Sequence, residues 1–299
     1  MKKIVTLALL LGGICSGIFA QNIDQKEKAL FKKCKVTTET VMGYETDEYG
    51  KATLKGIKKS MRTFDKKGNT ATIVEYNIKS APIKRTVLKY NSDEVVIGAL
   101  VYKGYDDELI DKYKITYDAN GNKTSRKGML ASNEYEITYT YNSANQLTKK
   151  EKKKAGIQVY VYNYSYNNKL LIKEEYSSTD FELTKSFEYN DQNQLVKESY
   201  RTYDLPGSSF VYSYDSVGNK ITETEYNVHG ELYESYSYVY GDKGEIKKIS
   251  KRNMDSVEIM RWKYSYDSKG ILDQIKIYDG DMESAYYITK YIYKFRKED

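Results

Sequence analysis

The chain alternates ring and non-ring side chains with a period of two, in segments that recur at a near-constant interval. Ten aromatic positions, Phe64, Tyr90, Tyr117, Tyr141, Tyr166, Tyr189, Tyr214, Tyr240, Tyr266 and Tyr293, stand 23 to 27 residues apart. Counting these anchors with the positions two and four residues before each, 22 of 30 side chains are aromatic. The 20 positions between them hold no aromatic at all and are mostly Thr, Ser and Lys, with an occasional Val. Successive side chains point to opposite faces of a strand, whereas a helix would scatter such a pattern around its surface. Each segment is therefore expected to be a strand with one ring-bearing and one polar face.

The residues after each anchor predict the connections. Phe64-Asp65-Lys66-Lys67-Gly68-Asn69, Tyr117-Asp118-Ala119-Asn120-Gly121-Asn122 and Tyr214-Asp215-Ser216-Val217-Gly218-Asn219 share one punctuation, with Asn145 and Asn193 standing where other copies have Gly. Gly and Asn tolerate a left-handed backbone, and Asp or Asn three residues earlier completes a type I turn whose left-handed fourth residue makes a bulge. A mixed segment such as Leu195–Tyr200 then supplies a return strand. The prediction is about ten hairpins in series, with degraded turns after Tyr90, Tyr166 and Tyr240. Residues 24–35 are read as a short helix or irregular cap, and Asp47–Gly50 as a degraded first turn. The domain plan is a signal peptide over 1–20, an N-terminal cap region over 21–60 and the repeat array over 61–299.

The leader reading rests on Lys2 and Lys3, the apolar run Ile4–Leu11 and a small residue, Ala20, at the expected cleavage point. It implies an extracytoplasmic product, periplasmic, surface-bound or secreted, that is soluble after cleavage and keeps Cys34 as its one thiol. That thiol is expected to be buried and inert. Charged residues make up 30% and the net charge is +6, of which Lys2 and Lys3 leave with the leader. That balance is too mild to argue a nucleic-acid partner. With 33 Tyr and 2 Pro, the composition fits neither disorder nor a collagen-like chain.

The segments Tyr117–Thr124 and Tyr214–Ile221 resemble the YD repeats of the RHS family, and the resemblance covers roughly residues 60–299. It implies an exported repeat protein whose hairpins join laterally into a long spiralling sheet, in some members a hollow shell around cargo. Behind Tyr293-Lys294-Phe295 no toxin or core-associated domain is expected. The fold class predicted is all-β: tandem antiparallel hairpins forming a long twisted, coiled or partly closed sheet.

Twenty-two rings at about 150 Å² each expose far more apolar surface than a soluble monomer usually shows, so the ring face must be covered. Curling of the sheet is the favoured means, with Tyr hydroxyls reaching solvent or backbone at the margin and a ligand at the open ends of the array. Aromatic binding candidates are Trp262, Tyr264, Tyr291 and Tyr293. No catalytic residue, metal site or cofactor is expected: His229 is the single His, and Asp279-Gly280-Asp281 and Lys149–Lys154 read as solvated charge. The expected role is a non-enzymatic binding or structural scaffold for a protein or cell-envelope component. The alternative is a carbohydrate-binding module that uses the ring face on a glycan.

Overall fold

The structure is a computed structural model and describes residues 27–53, 55–106, 108–130 and 133–296. The predicted leader over 1–20 and the first residues of the cap region lie outside the described residues. A short helix, α1, spans residues 27–33. Twenty strands come after it: β1 (Val36–Glu45), β2 (Ile57–Phe64), β3 (Thr70–Tyr76), β4 (Pro82–Tyr90), β5 (Val96–Lys103), β6 (Leu109–Tyr117), β7 (Lys123–Leu130), β8 (Asn133–Tyr141), β9 (Leu147–Lys154), β10 (Ile157–Asn167), β11 (Leu170–Ser178), β12 (Glu182–Tyr189), β13 (Leu195–Thr202), β14 (Leu205–Tyr214), β15 (Lys220–Tyr226), β16 (Leu232–Tyr240), β17 (Ile246–Asn253), β18 (Glu258–Tyr266), β19 (Leu272–Asp279) and β20 (Tyr287–Phe295). All ten anchors close even-numbered strands, within two residues of the end.

Every strand pairs antiparallel with its sequence neighbours, and β1 pairs with β20 from Val36↔Phe295 to Glu45↔Tyr287. The sheet is thus a closed 20-stranded barrel. This corrects the expected twisted, coiled or partly closed sheet, because the array closes on itself completely. Pairing the two terminal strands satisfies rows of backbone groups that would otherwise be left bare along two edges. Nine hairpins are continuous, β2–β3 through β18–β19, and the tenth is assembled from the chain's two ends, with β1 as the return strand for β20. α1 sits where the tenth turn would be, packing Phe31 against Phe64, Val36, Ile271 and Tyr293. Cys34 is half-buried against the same cluster.

Each of the nine continuous hairpins shifts register by one residue at its anchor, for example between Thr116 and Tyr117 and between Ser265 and Tyr266. The turns explain the shift. Asp118 accepts backbone N–H bonds from Asn120 and Asn122 through Oδ1 while Gly121 takes φ +80°. Asp47, read as a degraded turn, forms the same bonds to Tyr49 and Lys51. The turns after Tyr90 and Tyr240 are not degraded either, because Glu94 and Gly244 supply the left-handed residue at φ 62° and 75°. Glu94 holds that conformation with ion pairs to Lys28 and Lys67. Only Tyr166 departs, with a shorter turn through Asn168 at φ 53°.

The ring face is the concave one. Tyr135, Phe187, Trp262 and Ile277 on that face are at most 8% exposed, and so are the charged Lys185 and Glu198. A barrel's curvature crowds the side chains of its inner face, and the polar face is buried only at scattered positions such as Val74, Val161, Tyr278 and Ile288. The outer face instead presents side chains such as Lys112, Lys114, Thr138, Lys149, Glu151, Lys153, Glu188 and Lys197. A round barrel of 20 strands at ~4.8 Å spacing is at least about 96 Å around and about 30 Å wide, and strand tilt enlarges both. Among the described residues, strand backbones approach one another closely only between neighbours around the ring. Inward side chains such as Lys150, Lys152, Tyr160 and Tyr162 stay partly exposed, so the interior is a lumen lined by side chains.

Candidate functional site

Construction of the inner wall begins with the anchors. Nine anchor hydroxyls donate to a backbone carbonyl at the start of the preceding odd-numbered strand, at 2.6–3.0 Å: Tyr90 to Thr70, Tyr117 to Val96, Tyr141 to Lys123, and so on to Tyr293 with Leu272. The accepting residue in most hairpins is the partner of the previous anchor, as Val96 is of Tyr90. Each hydroxyl therefore stitches one hairpin to the next at the rim where the bulges sit. Phe64 occupies the one anchor position without a hydroxyl, and its ring packs on Phe31 instead.

Deeper in the wall, from β6 to β17, ring-bearing strands alternate with strands that each turn at least one charged residue inward. Register pairs Tyr139 with Lys150, Tyr164 with Glu174, Tyr212 with Glu223 and Tyr236 with Lys251. The sequence reading missed these charges, since the return strands look polar on both faces. The fully buried Glu198, 1% exposed, accepts hydroxyl bonds from Tyr200 at 2.6 Å and Tyr212 at 3.2 Å. Burial pushes its carboxyl up from the ordinary range despite those bonds. Glu223 is bound by Tyr238 and Lys220, Glu234 by Tyr236 and Lys251, and Glu174 by Lys185. Near the α1 end, Arg62 spans Glu27 and Glu39 at 2.6–3.0 Å, and Tyr293 also lies within bonding distance of Glu39.

The basic members are grouped apart from the acidic ones. Lys123 and Arg126 on β7 and Lys150 and Lys152 on β9 all turn to the ring face. Lys123 lies over Tyr139 at 4.8 Å, Lys150 over Tyr162 at 4.9 Å, and Arg126 over Tyr113 at 3.6 Å. Arg126 has Asp111 at 3.4 Å, while none of the three lysines has a carboxylate in ion-pair range among the described residues. Burial depresses the Lys123 and Lys150 ammonium groups, helped for each by neighbouring cations and opposed at Lys150 by Glu174. The run Lys149–Lys154 is a return strand as expected, but Lys150 and Lys152 are half-buried against rings rather than solvated.

The predicted aromatic candidates fall into two groups. Trp262, Tyr264 and Tyr291 share one cluster with Ile249, Ile275 and Ile277, and Tyr293 belongs to the α1 cluster. Trp262 is 2% exposed, stacks on Tyr236 and keeps its indole N–H without an acceptor among the described residues. That ring is structural core, not an open platform. His229 lies exposed at the tip of the Asn227–Glu231 turn, and Asp279 and Asp281 are exposed around another. Among the described residues, no group of three or more His, Cys, Asp or Glu is gathered to hold a metal ion.

No family model matches the chain, and no curated protein matches it. Among solved structures, the chain is similar to the TcdB2-TccC3-Cdc42 crystal structure, at 11% identity and a TM-score of 0.39 over 83% of this chain and 18% of that one. The Photorhabdus luminescens Tc holotoxin pore is similar over the same shares, at 11% identity and a TM-score of 0.28. This chain thus spans about a fifth of those toxin chains. A porin-like protein from Bacteroides uniformis is similar at 10% identity and a TM-score of 0.39, over 87% of this chain and 98% of that one.

Proposed function

We propose that the chain is an exported, non-enzymatic repeat barrel of RHS-like construction that serves as a binding scaffold at the cell envelope or surface, with the inner wall as its binding surface. The observation that carries this reading is the lumen lining itself: rings and ionisable side chains brought together on one concave face. A core selected only for stability would hold Leu, Ile and Val there, because burying charge costs free energy unless each charge is paired and hydrogen-bonded. The outer face supports a water-facing barrel. Lys, Glu, Thr and Ser recur along it, and Lys at the midplane of a lipid-facing strand costs about 2–4 kcal/mol. The leader-like start of the sequence supports the extracytoplasmic setting.

The carbohydrate-binding alternative is favoured by the same lining, since Tyr faces stack on sugar rings and Lys and Glu can bind hydroxyls. The test is a pull-down from a solubilised envelope fraction and from insoluble polysaccharides, using the mature chain and a Tyr160→Ala/Tyr162→Ala variant. The proposal expects an envelope component retained by the former and lost by the latter. Retention of nothing, or equal retention by both, would refute the inner wall as the binding surface.

A further inference from the structure

We infer that the β7–β9 sector of the lumen is a binding site for an acidic saccharide, a chain of sugar units bearing carboxylates. This rests on the inner wall being the binding surface and names its ligand. Lys123, Arg126, Lys150 and Lys152 point to one concave face, and among the described residues Asp111 is the only carboxylate paired to any of them. Elsewhere in the lumen acids and bases neutralise one another, as Lys185 with Glu174 and Lys251 with Glu234 do. Here Glu174 attracts Lys150 only from beyond ion-pair range, and positive charge is left over.

The cations are also arrayed rather than heaped. Lys150 and Lys152 are two residues apart on β9, a step of ~7 Å, and β7 lies two strands away, ~10 Å. A row of anions repeating at a comparable step could meet several of them at once. Tyr139, Tyr160 and Tyr162 hold those ammonium groups at 4.8–5.9 Å from their ring centroids. That arrangement pairs a stacking surface with charge, which suits a sugar ring carrying a carboxylate better than a bare inorganic anion. Further round the wall from this sector, β11–β16 carry Glu174, Glu198, Glu223, Glu225 and Glu234. The net charge of +6 gives the chain no long basic surface for a nucleic-acid strand to track, whereas four cations beside rings suit a short run of carboxylate-bearing sugars.

The experiment is calorimetric titration of the mature chain with hexagalacturonate, with cellohexaose and with a hexathymidylate oligonucleotide. Hexagalacturonate is expected to bind and to weaken as salt is raised, and cellohexaose to bind at least about tenfold more weakly, the scale of one lost charge-assisted contact. A Lys123→Gln/Lys150→Gln variant should lose about tenfold for hexagalacturonate, while the outer-face pair Lys149→Gln/Lys153→Gln stays within about twofold. Thermal melts confirm that both variants fold, and the salt dependence of the unaltered chain tests the charge argument without any variant. Absence of hexagalacturonate binding, salt-independent binding, or equal losses in the two variants overturns the inference. Cellohexaose bound as tightly as hexagalacturonate also overturns it but leaves the scaffold reading standing, and tighter binding of the oligonucleotide overturns the ligand class. Failure of the scaffold reading shows instead as an envelope pull-down that retains nothing.

Discussion

Removing one stitch of the rim should cost a definite and small amount. The Tyr117 hydroxyl donates to the Val96 carbonyl at 2.6 Å, and Val96 lies beyond Gly98↔Lys114, the last β5–β6 pair at that rim. Tyr117→Phe keeps the ring and deletes only the donor. A neutral hydrogen bond contributes about 0.5–1.5 kcal/mol net, and an acceptor left half-buried without a partner adds to the loss, so about 1–2 kcal/mol is expected. Tyr139→Phe is the control, because the Tyr139 hydroxyl has no hydrogen-bond partner among the described residues while its ring carries Lys123; its cost should stay within about 0.5 kcal/mol. The assay is equilibrium denaturation, read at the midpoint at constant slope, with amide exchange at Val96 and its neighbours as a local readout. A second stitch far away, Tyr189→Phe at the Leu171 carbonyl, should add to the first within about 0.5 kcal/mol. Equal effects of Tyr117→Phe and Tyr139→Phe would refute the stitch as a stabilising element.

Gly121 takes φ +80° with open space where a Cβ would go, so Gly121→Val should destabilise by about 1–2 kcal/mol from backbone strain alone. Gly121→Asn should be close to neutral in the same melts, because Asn145 and Asn193 already hold that position elsewhere. The Asp118 and Asp215 carboxyls are held below their ordinary value of 3.8 by the side-chain amides of Asn122 and Asn219 and by backbone N–H groups. A lowered folded-state value gives stability that is present above 3.8 and lost as pH falls through it, so acid titration of the denaturation midpoint should flatten in Asp118→Asn. Phe31, 3% exposed against Phe64 and Tyr293, should cost about 3–5 kcal/mol as Phe31→Ala, with amide exchange rising first in α1 and at the β1–β20 seam. Lys150→Met should raise the melting temperature at neutral pH, since it removes a cation that burial penalises in the folded state; a lowered midpoint would mean that its ring contacts outweigh its desolvation.

Much of this architecture was legible because its signals are local. Period-two rings fixed the even-numbered strands, and a single left-handed position fixed the turns well enough that Asn145 and Asn193 could be equated with Gly121. Glu94 escaped because Glu carries no intrinsic preference for that conformation; α1 and Lys67 hold it there from outside the turn. Closure was illegible for a related reason. β1 reads Val-Thr-Thr-Glu-Thr-Val-Met-Gly-Tyr-Glu, with one ring, and nothing in that string says that its partner is β20, at the far end of the chain. Whether the accumulated twist of a meander brings its last strand back to its first depends on tilt and bulge at every hairpin, a sum that no single segment displays. The inner charges were hidden by symmetry: Lys149–Lys154 places lysine on both parities, so only the pairing of Tyr139 with Lys150 decides which ones enter the lumen.

That hidden placement is what separates this barrel from a stability-driven design. At Glu198 and Glu223 the inward acid is satisfied by tyrosine hydroxyls and a lysine, Tyr200 and Tyr212 for the first and Lys220 and Tyr238 for the second. The rings there act as hydrogen-bond donors to the acids. Around Lys123, Lys150 and Lys152 the rings offer only their faces, and a cation over a ring recovers about 0.5–2 kcal/mol, less than a buried ammonium loses on leaving water. The two sectors use the same residue types in the same strand geometry and differ in whether the charge is met by hydrogen bonds and ion pairs, as at Glu198 and Glu223, or by ring faces, as at Lys123 and Lys150. An anion entering from the lumen would supply to the β7–β9 sector what the chain already supplies at Glu198, so the least satisfied part of the wall is also the part best prepared to receive a ligand.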